Sequence, residues 1–161
     1  MEKLGNILAD YMKPYKERTA PGANLCEKEC DKYLSSIDGV YYQKFGFDET
    51  NQKIPSQFFF KIPKLIRNCP DFIVIGKKVS FVECKGCKGN LKVKLDDLDS
   101  YKFWNMMCPL FFFILLRTDD EMKKKILSYD KLMLIIENNN LEKEVYPDNG
   151  KEYYKIPFSS L

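Results

Sequence analysis

The 161-residue chain contains no histidine. This absence excludes acid–base catalysis by an imidazole group and every zinc site that requires a histidine ligand. Any catalytic chemistry must therefore use carboxylate, lysine, cysteine or tyrosine side chains. A strong excess of charge of one sign is also missing, because 26 lysines and arginines are nearly balanced by 23 acidic residues, which leaves a net charge of +3. The overall charge consequently does not identify a nucleic-acid partner.

Long apolar segments are missing as well. The uncharged run from Phe103 to Leu116 is interrupted by Pro109 and is too short to span a bilayer, so we expect no membrane association. The N-terminal residues, Met-Glu-Lys-Leu-Gly, show no apolar signal region, which favours an intracellular protein in a reducing compartment. We therefore expect the six cysteines to remain thiols.

The composition is that of a globular protein. Hydrophobic residues make up 45% of the chain and charged residues 30%, a balance that separates it from disordered sequences. The length fits one domain with a substantial core. We expect a helix and a loop in residues 1–22 and the core of that single domain in residues 23–161.

Two short apolar segments predict a β-hairpin. The segments are Phe72–Ile75, which consists entirely of β-branched and aromatic residues, and Val79–Lys85, in which such residues occupy positions 79, 81 and 82. Between them, Gly76 and two lysines have the composition of a turn. The hairpin is the feature around which the functional residues are arranged.

Asp71 immediately precedes the first strand, and Glu83 and Lys85 share one face of the second because side chains alternate along a strand. Charged side chains among apolar strand residues cost free energy unless they bind a partner. Two carboxylates can hold one hard divalent cation together with water and a phosphate oxygen, and a lysine beside them adds positive charge. These three residues thus predict a metal site, which we expect at an edge of the sheet.

Pro70-Asp71, followed after eleven residues by Glu83-Cys84-Lys85, resembles the signature of the PD-(D/E)xK nuclease superfamily, which includes type II restriction enzymes and Holliday junction resolvases. The resemblance implies a restriction-endonuclease-like α/β fold, with a mixed central β-sheet flanked by α-helices in a single domain. It also implies a DNA endonuclease that uses Mg²⁺ or Mn²⁺ to hydrolyse phosphodiester bonds. Asp71, Glu83 and the backbone carbonyl of Cys84 would hold the metal, and Lys85 would assist the attacking water.

A helix upstream of the hairpin contributes a further candidate. Asn24 has the position of an N-cap, and apolar residues at helical spacing predict a helix that ends near Ser36. Leu25-Cys26-Glu27-Lys28 resembles the corresponding helix of the phage junction-resolving endonucleases. This resemblance implies that Glu27 is a catalytic residue and a metal ligand, with Glu29 as the weaker candidate. The helix dipole alone also stabilises an acidic residue in a first turn, and this simpler interpretation stays open.

Basic residues are concentrated on both sides of the motif. Lysine-rich segments are often only solvated surface, but their position beside the carboxylates is also that expected of a phosphate-binding surface. The residues that we expect to contact DNA are Lys61, Lys64, Arg67, Lys77, Lys78, Lys88, Lys92 and Lys94. The last three lie in residues 86–94, a glycine- and lysine-rich segment that predicts a flexible loop.

The rest of the chain predicts further helices and strands. Many members of the superfamily carry a glutamine at the start of the helix after the motif, and this chain has none there. The expected elements are a helix in residues 1–15, a strand in 40–47, a turn in 48–55, a strand or an insertion in 57–62, a helix in 96–107, a strand in 110–116 parallel to its neighbour, a short strand in 124–127, a helix in 128–137 capped by Ser128, and an edge strand in 151–157.

The cysteines allow a second metal hypothesis. Cys84 and Cys87 form a CxxC pair, and Cys26 and Cys30 lie one helical turn apart, so a four-thiolate zinc site is conceivable. The period of the strand directs Cys84 away from Glu83 and toward the covering helix. Buried thiols without a metal explain these positions more simply.

Within the superfamily, the helix resemblance and the small size favour a structure-selective Holliday junction resolvase of a virus or mobile element, active in DNA recombination or repair. A junction needs two cuts, so we expect a homodimer on branched DNA. The compartment would be the host cytoplasm, or the nucleus or viral factory for a eukaryotic virus. The runner-up is a restriction, homing or repair nuclease with the same catalytic residues. A nucleic-acid-binding module without cleavage and a structural domain with a salt-bridge cluster are the alternatives outside catalysis.

Overall fold

The computed structural model describes residues 23–46 and 54–161. The helix and the loop expected in residues 1–22 lie outside this part of the chain, as do most of the turn expected in residues 48–55 and the side chain of Asn24. In chain order the elements are α1 (Ala23–Ser35), β1 (Tyr41–Lys44), a 3₁₀ segment (Ser56–Lys61), α2 (Lys64–Arg67), β2 (Phe72–Ile75), β3 (Val79–Cys87), β4 (Asn90–Lys94), α3 (Leu95–Met107), β5 (Leu110–Arg117), β6 (Met122–Ser128), α4 (Tyr129–Asn138), β7 (Lys143–Val145), β8 (Glu152–Pro157) and a second 3₁₀ segment (Phe158–Ser160).

Five strands form a mixed central sheet in the order β1-β2-β3-β5-β6. β3 and β5 run parallel, whereas the other neighbouring strands are antiparallel. A parallel pair needs a crossover connection, which β4 and α3 provide here. The hairpin and the parallel pairing of residues 110–116 are thus confirmed.

Apolar side chains cover both faces of this sheet. On one face, Phe72 and Phe113 pack with Cys30 and Leu34 of α1. The opposite face contacts α3, α4 and a second sheet, and Phe112 lies in that cluster. The expectation of a mixed sheet flanked by helices is therefore confirmed.

The second sheet is antiparallel, with the strand order β4-β8-β7. The flexible loop expected in residues 86–94 is wrong, because β3 extends to Cys87 and β4 begins at Asn90. Leu91 and Val93 alternate with lysines, so β4 buries one face and exposes the other. The edge position expected for residues 151–157 is also wrong, since β8 pairs with β4 on one side and β7 on the other.

Residues 57–62 do not form a strand. A 3₁₀ turn over Ser56–Lys61 follows Pro55, whose carbonyl accepts a hydrogen bond from the N–H of Phe58 at 2.9 Å. Local hydrogen bonds of this type satisfy the backbone without a partner strand. Phe60 of this turn is 79% exposed, so it belongs to the surface rather than to the core.

The C-terminal helix begins as expected. The hydroxyl of Ser128 accepts a hydrogen bond from the N–H of Lys131 at 3.2 Å, which confirms the N-cap. Among the described residues, no helix is both long enough and apolar enough to cross a membrane.

Candidate active site

The hairpin brings the three motif side chains together. β2 and β3 pair with Phe72 opposite Val82, so Asp71 lies beside Glu83 at the end of the hairpin. The Oδ2 atom of Asp71 accepts a hydrogen bond from the N–H of Cys84 at 2.6 Å. β3 has neighbours on both sides, which places the motif at the centre of the sheet. The expected edge position is therefore wrong.

A second backbone segment fixes Asp71 from the other side. Its carbonyl accepts hydrogen bonds from the N–H groups of Phe45 and Gly46, at 2.7 and 3.1 Å. A Cβ atom at Gly46 would lie 3.2 Å from the Asp71 Cα, which is a tighter approach than a side chain normally makes. The absence of a side chain at Gly46 thus permits the end of β1 to approach the site closely.

Glu83 is buried and is held by two partners. Its Oε1 atom accepts a hydrogen bond from the Tyr101 hydroxyl at 2.9 Å and lies 3.0 Å from the Nζ of Lys85. The same Nζ lies 5.3 Å from the centre of the Tyr101 ring. Tyr101 is only 2% exposed, and its ring packs edge-on against Phe112. These contacts fix one carboxylate oxygen of Glu83 and leave the orientation of the group well determined.

The pKa values of the site follow from this arrangement. Burial raises the pKa of Asp71 well above its usual range, the charge of Glu83 adds to the rise, and the N–H of Cys84 opposes it. Burial alone would lower the pKa of Lys85, but Tyr101 and Glu83 outweigh this effect and raise it. Lys85 is therefore a cation at neutral pH. A protonated Nζ can donate hydrogen bonds and supply positive charge, but it has no lone pair with which to act as a base.

The motif opens onto a polar cavity of about 160 Å³. Asp97 of α3 and Asn68, which follows α2, form part of its wall, and the Asn68 side chain donates a hydrogen bond to Asp97 at 3.3 Å. The residues that line the cavity are Arg67, Asn68, Cys69, Asp71, Glu83, Lys85, Asp97 and Tyr101.

The donor set fits a magnesium-type cation. The hydrogen bonds above engage Oδ2 of Asp71 and Oε1 of Glu83, and each carboxylate has a second oxygen that can serve as a ligand. Within residues 23–46 and 54–161, no group of three or more cysteine, aspartate or glutamate side chains is arranged to hold a metal. Mg²⁺ commonly binds through one or two carboxylates and completes its shell with water and substrate phosphate. A two-carboxylate site is consistent with that pattern.

Glu27 lies close enough for its charge to contribute to the raised pKa of Asp71. Its carboxylate pairs with Lys44 at 2.7 Å, and it is not among the residues that line the cavity. Glu29 pairs with Lys32 on the surface of α1. The role of Glu27 as a ligand stays a prediction.

The basic residues expected to bind DNA occupy several surfaces. Arg67 lines the cavity, and Lys64 lies 3.6 Å from Asp96 beside it. Lys77 and Lys78 lie in the hairpin turn. This turn follows the end of β2 that lies roughly 13 Å along the strand from Asp71. The remaining positions are Lys61 over the Phe58 ring, the exposed Lys88, and Lys92 and Lys94 on the second sheet.

Tyr101 is among the cavity residues that the motif did not identify, as are Asn68 and Asp97. The ring of Tyr101 is buried, and its hydroxyl reaches Glu83. No glutamine occurs in α3, and a tyrosine from its second turn contacts the motif. A buried tyrosine whose hydroxyl needs a partner was the available signal.

Three of the cysteines pack together on the face of the sheet that α1 covers. Cys26 and Cys30 are 3% and 0% exposed, and Cys84 packs beside them on the face of the sheet opposite Glu83. All three are free thiols. Buried thiols of this kind act as small apolar side chains.

Comparisons with known proteins identify no family. No family model matches the chain. No curated protein matches it either. Among solved structures, a nuclease from a fusselovirus is similar over 93% of this chain and 88% of that chain, with 16% sequence identity and a TM-score of 0.44. Since these values establish neither family nor activity, any functional assignment depends on the site itself.

Proposed function

We propose that the protein is a divalent-metal-dependent DNA endonuclease of the PD-(D/E)xK type, and that it acts as a Holliday junction resolvase. The supporting observation is the convergence of Asp71, Glu83 and a cationic Lys85 on one polar cavity at the centre of the sheet. Two carboxylates that disfavour each other's charge are stabilised when a divalent cation lies between them.

Each side chain has a distinct task in this proposal. Asp71 and Glu83 would hold Mg²⁺ or Mn²⁺, together with the backbone carbonyl of Cys84. The bound cation would neutralise phosphate charge and lower the pKa of a bound water. Lys85 would donate to the attacking water or to the phosphate oxygen on which charge develops. Tyr101 would position Glu83 through the hydrogen bond from its hydroxyl, and Lys85 through the contact between its ring and the Nζ atom.

The attacking water would lose one proton to solvent and bond to phosphorus in line, the bond from phosphorus to the leaving oxygen would break, and that oxygen would take up a proton from solvent. Glu27 would add a carboxylate if its pairing with Lys44 is exchanged for the metal. The junction preference is supported by the resemblance of residues 25–28 to junction-resolving enzymes. Two symmetric cuts would require a homodimer.

The test is cleavage of a four-way junction and of a linear duplex with the same sequences, each with Mg²⁺, with Mn²⁺ and with a chelator. We expect metal-dependent cuts in two opposing strands of the junction and none in the linear duplex. Lys85→Ala should abolish cutting and retain junction binding. Lys124→Ala is a matched control, because Lys124 also lies over a tyrosine ring, 4.8 Å from the centre of Tyr33, but remote from the cavity.

Other outcomes would select another function. Cuts at one sequence in linear duplex would favour a restriction, homing or repair nuclease. Junction binding without any cut in either metal would favour the non-catalytic binding module.

A further inference from the structure

The outer face of the second sheet carries lysines above paired tyrosine rings. Lys92 of β4 lies opposite Lys155 of β8, and Lys94 lies opposite Tyr153. Residues opposite each other share a face, so these side chains lie on the side away from Leu91 and Val93. We call the set Lys92, Lys94, Tyr146, Tyr153 and Lys155 the lysine–tyrosine face.

The rings of this face hold the lysines in place. Tyr146 and Tyr153 have ring centres 4.2 Å apart. The Nζ of Lys92 lies 5.0 Å from the Tyr153 ring and 5.4 Å from the Tyr146 ring, and that of Lys94 lies 5.7 Å from the Tyr146 ring. Cation–π contacts at this distance restrain ammonium groups without neutralising them. The lysines thus contact the rings and keep their positive charge.

One acidic residue lies within the face. Glu144 accepts a hydrogen bond from the Tyr153 hydroxyl at 2.7 Å and lies 3.4 Å from the Nζ of Lys155. The three lysines outnumber this carboxylate. Burial raises the pKa of Tyr146, and the charges of Asp97 and Asp148, which act on that end of the face, add to the rise. The positive charge of the face therefore resides on its lysine Nζ atoms.

The face leads directly to the candidate active site. β4 ends at Lys94, and α3 begins at the next residue and carries Asp97 into the cavity wall. Asp96 lies between the two regions, with the Nζ of Lys64 at 3.6 Å and that of Lys151 at 3.8 Å. A phosphate chain with one phosphate in the cavity could therefore continue over the second sheet.

We propose that the lysine–tyrosine face binds the sugar–phosphate backbone of the double-stranded arm next to the cleaved bond, without regard to base sequence. The inference rests on the proposed nuclease function for the position of the cleaved bond. Tyr153 is only 5% exposed, and the half-buried Tyr146 packs against it at an interplanar angle of 39° below two lysines, so the Tyr153 ring is closed to an unpaired base and the Tyr146 ring is largely covered. Single-strand-binding proteins stack bases on exposed rings, whereas neither tyrosine of this face is fully exposed.

The test measures binding without cleavage. The full chain is titrated onto a fluorescent 20-base-pair duplex in the presence of a chelator, at several salt concentrations. The Lys92→Gln/Lys155→Gln variant should bind about tenfold more weakly, and the slope of log affinity against log salt should decrease by about 2, because each phosphate contact contributes about 0.9. Glutamine keeps much of the side-chain length over the rings, and circular dichroism melting checks the fold.

The matched control is Lys123→Gln/Lys124→Gln. These lysines lie on β6, the far edge of the central sheet, and Lys124 contacts Tyr33 of α1 on the opposite layer. The control should bind within twofold of the parent with an unchanged salt slope. Two duplexes of unrelated sequence should bind equally, and a single strand of the same length should bind more weakly.

Several results would overturn the proposal: unchanged binding by the Lys92/Lys155 variant, an equal loss in the control, or tighter binding of the single strand. The proposed function fails separately. If the parent never cleaves DNA with Mg²⁺ or Mn²⁺ but the face variant loses duplex affinity, the DNA-binding surface is supported and the nuclease function is refuted. If the parent cleaves and the face variant binds like the parent, only the surface is wrong.

Discussion

The Asp71→Asn substitution should stabilise the metal-free protein. Burial and the charge of Glu83 both disfavour the Asp71 carboxylate, as its raised pKa shows. Lys85 lies 3.0 Å from Glu83 and compensates that group in part. Asparagine keeps an oxygen that can accept the hydrogen bond from the N–H of Cys84, now 2.6 Å long, and removes the charge. We expect a gain of about 1 kcal/mol in the free energy of unfolding, as is common when a functional residue that destabilises the folded protein is replaced.

For a chain of this size, about 1 kcal/mol corresponds to an increase in Tm of roughly 2–4 °C. The pH dependence has a definite sign. The pKa of Asp71 is higher in the folded than in the unfolded state. Below the unfolded pKa the group is protonated in both states, so it does not change the free energy of unfolding. Above the folded pKa it is charged in both states, and the folded protein is destabilised by the full amount. The advantage of the variant should therefore be absent in acid, grow as the pH rises through the folded pKa of Asp71, and be complete above it.

Thermal melting with a chelator and then with Mn²⁺ measures both effects. A cation that binds only the folded state stabilises it by about 2.7 kcal/mol at one hundred times its Kd. Mn²⁺ should thus raise the Tm of the parent far more than that of Asp71→Asn and reverse their order. Asp119→Asn, in an exposed turn, is the matched control for a lost negative charge. A less stable Asp71→Asn protein in chelator at neutral pH, or equal stabilisation of both proteins by Mn²⁺, would refute the reasoning.

Three further predictions concern single side chains. Tyr101→Phe keeps the ring against Phe112 but removes the hydrogen bond to Glu83. The affinity for Mn²⁺, measured by calorimetry, should therefore fall about 10–100-fold, and an unchanged affinity would exclude a positioning role for Tyr101. Glu27→Gln should lower the cleavage rate more than Lys44→Gln does, and equal effects would indicate that the ion pair alone matters. Leu132→Ala removes a fully buried side chain and should lower the free energy of unfolding, measured with denaturant, by about 3 kcal/mol. Leu134→Ala, at an exposed position, should lower it much less, and similar losses in the two variants would contradict the described core.

Local patterns predicted the elements that depend on local physics. The hairpin follows from two β-branched segments around a glycine–lysine turn, and the uninterrupted apolar run of β5 indicated a strand buried on both faces. Ser128 was recognisable as an N-cap because its hydroxyl precedes a helical apolar pattern. Each of these features is contained within a few neighbouring residues.

The second sheet depends on contacts between distant segments, and it was not predicted. Glycine and lysine in residues 86–94 suggested a loop, although Leu91 and Val93 already alternate with Lys92 and Lys94. The three residues of β7 carry too little pattern on their own and become a strand only beside β8. Strand order likewise could not be inferred, so β8 was assigned to an edge.

The residues of the candidate site likewise fall into two groups, those placed by local structure and those placed by the packing of distant segments. Asp71, Glu83 and Lys85 were identified because the hairpin itself determines their proximity. Tyr101, Asp97 and Asn68 reach the cavity from α3 and the end of α2, and their arrival depends on how those helices pack. Sequence spacing alone contains no information on that packing.

The most direct test of the central claim is the single-turnover rate of strand cleavage by the parent and by Asp71→Asn, with Mg²⁺ and four-way junction DNA in the same assay. If the carboxylates hold a catalytic cation, the parent cleaves, a chelator stops it, and the variant is at least a hundredfold slower although it remains folded and bound to DNA. Cleavage by Asp71→Asn at the rate of the parent would contradict the account.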